Sequence, residues 1–289
     1  MKSYFDIAGD GGSNIVGQVM ARRDAIDARL AGVKHMVAIG SGKGGVGKST
    51  LTMQLALALA KDAARVAILD ADLNGPSQAR LGGLAGSPLV PTREGLSVPT
   101  TTSGIGVMSL GTMIPESQAL EFDTVASGES HVWRGAREFA ALSDLLAIVE
   151  WGKLDYLLID LPPGADRTFQ YAEFFGERTS FVLVTIPSQL SRGVVARSVA
   201  SLRKAPNRLL GYIENMKGYH CATCNDVKPL FPVTGELDLG IPCLGSVPFD
   251  PELSAASDAG GMVGGEDRPS SAATRSIASR LAHLLEAQP

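Results

Sequence analysis

The chain has 289 residues, an apolar fraction of 45%, a charged fraction of 19% and a formal net charge of −4. This excludes global disorder and leaves room for one or two cored domains, and the slight acidity excludes a protein whose main surface coats nucleic acid. Three cysteines exclude a disulfide framework, no run approaches the roughly 18 apolar residues of a membrane span, and Met1 to Ser13 lacks the apolar core of a signal peptide, so the expected compartment is a reducing cytoplasm.

The first 33 residues read as an N-terminal extension. Gly9-Asp10-Gly11-Gly12 is a turn, and Ser13 is placed to cap a helix running to about Leu30. From Lys34 onward β and α signals alternate. His35 to Gly40 reads as a buried strand, and Ser49 to Lys61 as a helix with Leu51, Leu55 and Leu59 on one face. Arg65 to Leu69 is a strand ending at Asp70, residues 82 to 104 are an irregular connection, and Ile105 to Leu110 is a strand. Ala136 to Trp151 is a helix, Tyr156 to Ile159 a strand ending at Asp160, and Phe181 to Ile186 a strand followed by a helix near Ser191 to Lys204. Arg208 to Ile213 and Ile241 to Val247 complete the strands, and a last helix spans about Ser271 to Glu286. Its stripe of Ile277, Leu281, Leu284 and Leu285 carries too little positive charge for a membrane anchor and reads as core. This alternation predicts an α/β fold of three layers, a mostly parallel sheet covered by helices on both faces. Residues 34–289 form one domain, with a loop at 217–233.

Gly42-Lys43-Gly44-Gly45-Val46-Gly47-Lys48-Ser49 satisfies the phosphate-loop pattern between an expected strand and an expected helix. Its glycines let backbone N–H groups wrap phosphate oxygens, and the helix start adds positive potential. Lys48 is expected to reach the β- and γ-phosphates and Ser49 to ligate Mg²⁺. Lys43 is not required by the cradle itself. With it, the string from Gly42 to Thr50 resembles the deviant Walker A class, which includes ParA, MinD and the nitrogenase iron protein. That resemblance implies that Lys43 crosses a dimer interface and acts as an arginine finger does.

Asp70 and Asp72 close the second strand as Asp-Ala-Asp, and period two puts both on one face at its carboxyl end. Asp160, after Leu157-Leu158-Ile159, is a Walker B arrangement that would hold Mg²⁺ through water. Asp70 joins Ser49 and Asp160 in the expected magnesium set. The resemblance implies that Asp72 positions or activates the attacking water.

Cys221-Ala222-Thr223-Cys224 sits in a segment marked as loop by Asn225, Asp226 and Pro229. A CxxC pair serves disulfide exchange, zinc binding or iron–sulfur binding. The last two need four ligands, and two copies of CxxC across a two-fold axis supply four thiolates. Cys243 reads as a core cysteine at the start of a buried strand.

Taken together, these residues resemble the Mrp/ApbC family of iron–sulfur cluster carrier ATPases. The P-loop carries the likeness, with Asp70-Ala71-Asp72-Leu73-Asn74-Gly75-Pro76-Ser77-Gln78, Trp133-Arg134-Gly135, and Trp151 through Gly164. Gly211-Tyr212-Ile213-Glu214-Asn215-Met216 followed by CxxC is its most specific part. The resemblance implies ATP and Mg²⁺ binding, a homodimer, a cluster (4Fe–4S bridging the dimer) held by Cys221 and Cys224, transfer to apo iron–sulfur client proteins, and adenine binding by Asn215. The chain departs from the family pattern at Ala165-Asp166-Arg167 and at Ile186-Pro187-Ser188-Gln189. Two other functions fit part of the pattern: a ParA- or MinD-like positioning ATPase, and a zinc-bridged structural dimer.

Overall fold

The strands of this chain are unbroken apolar runs, the pattern of a parallel sheet buried on both sides. A computed structural model describes residues 14–113, 131–221, 223–224, 226–231, 237–261 and 268–287. The turn read at Gly9 to Gly12 and the cap read at Ser13 lie outside them.

In chain order the elements are α1 (Ile15–Leu30), β1 (Val33–Ser41), α2 (Lys48–Lys61), β2 (Val66–Asp70), α3 (Gln78–Leu81), β3 (Val90–Pro91), β4 (Leu96–Ser97) and β5 (Gly106–Met108). There follow α4 (His131–Ile148), β6 (Leu154–Asp160), α5 (Ala165–Phe175), β7 (Thr179–Thr185), α6 (Gln189–Leu202), β8 (Leu209–Cys221), β9 (Asp226–Pro229), β10 (Cys243–Phe249), α7 (Pro251–Asp258) and α8 (Pro269–Glu286).

The main sheet runs β10-β8-β7-β1-β6-β2-β5, all parallel, and β9 pairs antiparallel with the far end of β8. Residues alternate between its faces, so β1 splits its side chains between two cores. Val37 and Ile39 meet Leu51 and Leu55 of α2 and Ile277 and Leu281 of α8. Met36 and Ala38 meet Leu142 of α4, Tyr171 of α5 and Val199 of α6. The three layers expected from the sequence are present, and the C-terminal stripe is core, with Ile277, Leu281 and Leu285 buried. Helix α1 lies on α4, where Arg22 meets Asp144 at 2.7 Å and Arg29 Nε donates to Ala147 O at 3.2 Å. Among the described residues no helix is long and apolar enough to cross a membrane.

Three helices escaped the sequence reading, the one-turn α3 among them. Helix α5 buries Thr168, Tyr171 and Ala172, a stripe at i, i+3, i+4. Helix α7 begins with an Asp-Pro start signal: Asp250 Oδ1 accepts from Glu252 N at 3.0 Å and Leu253 N at 3.3 Å. Two further expectations are corrected. Strand β8 does not stop near Ile213 but runs to Cys221, and Cys243, expected in the core, is exposed. It pairs with Tyr212, at the opposite end of β8 from Cys221, so it cannot join that pair within one chain.

Candidate functional site

The carboxyl ends of β1, β2 and β6 come together by register. Ile39 lies beside Asp160, and Asp160 beside Asp70. The chain leaves β1 through Gly42 to Gly47 and re-enters a helix at Lys48. Gly45 and Gly47 have φ of 76° and 78°, the left-handed region that favours glycine. At Gly47 a Cβ would also stand 2.3 Å from Asn215 Nδ2, so a side chain is excluded by space as well. Asn215 Nδ2 donates to Val46 O at 2.8 Å, which ties the loop to β8.

The loop encloses a cavity of about 380 Å³, lined by Lys43, Lys48, Ser49, Thr50, Asp72 and Pro163 among others. Backbone N–H groups at a helix start make such a cavity a site for anions. Among the described residues Lys43 has no ion-pair partner, while Lys48 is buried against Asp160. The two lysines of one motif therefore sit in different environments.

Behind Lys48 lies a compact polar cluster. Asp160, fully buried, receives Lys48 Nζ and Thr52 Oγ1 (3.3 Å) on Oδ1 and Gln78 Nε2 (2.8 Å) on Oδ2. Lys48 Nζ also reaches Ser49 Oγ at 3.2 Å. Asp70 Oδ2 accepts from Ser77 N (2.9 Å), Gln78 N (3.0 Å) and Ser109 Oγ (2.8 Å), and Oδ1 from Asp72 N (3.3 Å). Burial, then the charge of Asp160, holds Asp70 well above the usual carboxylate range. Period two had placed Asp70 and Asp72 on one face, and the structure separates them. Strand β2 ends at Asp70, so alternation stops there. Asp70 braces the next turn from inside, while Asp72 lines the cavity and accepts from Gly75 N at 3.1 Å.

A second cavity of about 130 Å³ shares Gly47, Thr50, Ser257 and Asp258 with the first. Its far end is Asn215, Met216, Pro248, Phe249 and Leu253. A polar, loop-wrapped chamber that opens into a more apolar one has the shape of a phosphate site joined to a base site.

Sequence reasoning missed the residues that brace Asp72. The Tyr171 hydroxyl lies 2.9 Å from Ala71 O and 3.1 Å from Glu138 Oε1. Glu138 is buried and ion-paired with Arg167, whose guanidinium lies over Phe139 at 5.7 Å and Tyr171 at 5.5 Å. Arg167, a departure from the family pattern, is thus the counter-charge of a buried glutamate. Two positions 29 residues apart, on α4 and α5, gave no local signal of this pairing.

The cysteine pair is not in a loop separate from the sheet. Cys221 is the last residue of β8 and pairs with Asp226 of β9, so the pair occupies a hairpin tip. At Gly218 the two strands lie close: a Cβ there would stand 2.4 Å from Val227 Cγ1. Cys221 is half-buried, Cys224 is exposed, and both are free thiols. Bonds from Cys224 and from the Thr223 backbone lower the Cys221 thiol to about 7, which favours the metal-binding thiolate. Among the described residues no cluster of three or more His, Cys, Asp or Glu forms a complete metal site.

Residues 32–282 match the ParA family described as NUBPL iron-transfer P-loop NTPase. The chain is 34% identical over 279 residues to an iron-sulfur cluster carrier protein of Saccharolobus solfataricus, covering 93% of this chain and 90% of that protein. It is 36% identical to the cytosolic Fe-S cluster assembly factor CFD1 of Saccharomyces cerevisiae, with 78% of each covered. A nucleotide-binding protein from Archaeoglobus fulgidus, solved in complex with ADP, superposes with a TM-score of 0.68 at 32% identity, over 82% of this chain and 90% of that one. Fold, phosphate loop and likeness along nearly the whole sequence agree: the chain belongs to the NUBPL iron-transfer P-loop NTPases.

Proposed function

We propose that the chain is a cytoplasmic ATPase that carries an iron–sulfur cluster between two copies of itself and passes it to apo client proteins. The observation that carries this reading is the pair of free thiols at the β8–β9 tip, one with a lowered pKa, on the strand that also holds Asn215 at the nucleotide cavity. Similarity to proteins named as cluster carriers and assembly factors supports it. One chain offers two thiolates and a cubane takes four, so a two-fold homodimer completes the ligand set. An exposed tip suits cargo that must be handed on.

In this reading phosphates occupy the cavity at Gly42 to Thr50, and the base lies against Asn215 in the second cavity. Ser49 and Asp160 are the residues to hold Mg²⁺, which supplies charge neutralisation at the β- and γ-phosphates when bound. Both oxygens of Asp70 are engaged by the turn that follows, so it backs these residues rather than offering a free ligand. The buried carboxylates, and a hydroxyl already beside Lys48, are hard oxygen donors that fit this ion. Lys48 leaves Asp160 for the phosphates. Asp72, at the cavity wall, orients water. Lys43, without an ion-pair partner among the described residues, reaches the partner's nucleotide.

Two substitutions separate these roles. Asp72→Asn is expected to keep ATP affinity and slow hydrolysis by about 100-fold, since an amide cannot accept a proton from water. Phosphate release and equilibrium binding measured on one preparation check this. Lys43→Ala is expected to keep affinity and lower turnover by at least about tenfold. Mixing it with Asp72→Asn protein should restore part of the rate, because each mixed dimer then holds one site with Asp72 and a partner Lys43. Wild-type turnover in Lys43→Ala alone removes the trans role. For the function itself, anaerobic reconstitution followed by iron, sulfide and zinc counts and a mass measurement is the test. About four iron and four sulfide per dimer are expected by ligand count, and zinc without sulfide favours a structural dimer.

A further inference from the structure

Gln78 has no role in the site as described so far, yet it touches every member of the expected magnesium set. It is fully buried at the start of α3. Its side-chain nitrogen donates to Asp160 Oδ2 at 2.8 Å and to Ser49 O at 3.0 Å, and its backbone N–H donates to Asp70 Oδ2 at 3.0 Å. Two acceptor oxygens face that nitrogen, so only one orientation of the amide is chemically consistent. The orientation leaves Oε1 buried and without a hydrogen-bond partner. A buried amide oxygen left unsatisfied is costly, so its position calls for a donor that arrives later.

We infer that Gln78 is a positioning residue of the magnesium site: its amide nitrogen keeps Asp160 in place when Lys48 leaves for the phosphates, and its free oxygen accepts a hydrogen bond from a water of the ion's shell. The inference rests on the nucleotide reading above. Lys48 and Gln78 hold opposite oxygens of Asp160. Once Lys48 turns to the phosphates, Thr52 at 3.3 Å and Gln78 at 2.8 Å are the remaining holders. Gln78 is the shorter of the two bonds and the one that also fixes Ser49. A hydrated cation supplies O–H donors, which an unpartnered carbonyl oxygen beside two of its ligands can accept. Groups that orient metal ligands in this way typically shift metal affinity by 10–100-fold when removed.

The test is ADP affinity by calorimetry, in EDTA and across a series of free Mg²⁺ concentrations, on the full chain. Gln78→Met keeps the length and removes both donor and acceptor. It is expected to bind ADP in EDTA as the wild type does, and to need about tenfold more Mg²⁺ for the half-maximal effect. Gln78→Glu keeps an acceptor oxygen but sets a carboxylate against Asp160, a repulsion that a cation relieves. Its Mg²⁺ midpoint is expected at or below that of the wild type, and Mg²⁺ alone should raise its melting temperature more than that of the wild type. An unchanged Mg²⁺ midpoint in Gln78→Met overturns the inference, as does an equal loss of affinity with and without the ion. If the Met variant does not fold, a Glu variant whose melting temperature Mg²⁺ raises no more than that of the wild type overturns it. A wild type that binds no ADP in either condition overturns the nucleotide reading and this inference with it, whereas Mg²⁺-dependent binding that ignores residue 78 defeats this inference alone.

Discussion

Lys48→Ala is expected to lose nucleotide binding and to melt earlier even without nucleotide. The first effect follows from removing the cation at the phosphates. The second follows from the geometry of the cavity, where Lys48 is 6% exposed, Asp160 is 0% exposed, and the ammonium is the ion-pair partner of the carboxylate. Removing one partner of a buried pair leaves a charge that the interior cannot solvate, at about 3–5 kcal/mol. For a domain of this size that is a drop in melting temperature on the order of 10 °C. Gln78 and Thr52 still hold Asp160, which places the cost toward the lower end. Lys48→Ala/Asp160→Asn removes the orphaned charge, so it is expected to regain most of the stability and none of the nucleotide affinity. Thermal melts of the three proteins with and without Mg·ATP check both halves. A Lys48→Ala protein that melts with the wild type would show that the pair adds nothing to the fold.

The second large effect belongs to the hairpin tip. Cys221→Ala and Cys224→Ala are each expected to abolish the brown chromophore of the reconstituted protein, because one change per chain removes two of four ligands from the dimer. The hairpin should survive, since both side chains sit at its tip and Cys224 is exposed. ATP binding should survive with it. Cys243→Ala is expected to leave the cluster intact. The reason is position rather than burial, because Cys243 pairs with Tyr212, at the other end of β8. Anaerobic absorption spectra with iron and sulfide counts on each variant are the check. Iron and sulfide retained by the Cys221→Ala/Cys224→Ala double variant would move the cluster elsewhere.

What could be read from the sequence was whatever is contiguous. The phosphate loop is eight residues in a row between a strand and a helix, and the structure places it there. The Walker B strand ending at Asp160 is equally local. Asp70 and Asp72 show where a local rule runs out: alternation holds only while a strand lasts, and β2 ends at the first of them. Gln78, Glu138 and Arg167 carry no local signal, because their partners lie 29 to 82 residues away on other elements. Asp226 and Pro229 read as loop because both residue types are rare inside strands, and only the partner strand β8 shows that they pair.

Strand β8 carries Asn215 at the wall of the base cavity and Cys221 at the hairpin tip, with Met216 between them at φ 55°, in the left-handed region a non-glycine residue seldom adopts. Six residues of strand span about 20 Å, so the two sites are the ends of one short element rather than the ends of a long relay. Thermodynamic linkage then runs both ways. Whatever factor nucleotide applies to cluster affinity through β8, a bound cluster must apply to nucleotide affinity. If the proposed cargo and nucleotide are coupled through this strand, a loaded dimer and an empty one fill at different ATP concentrations.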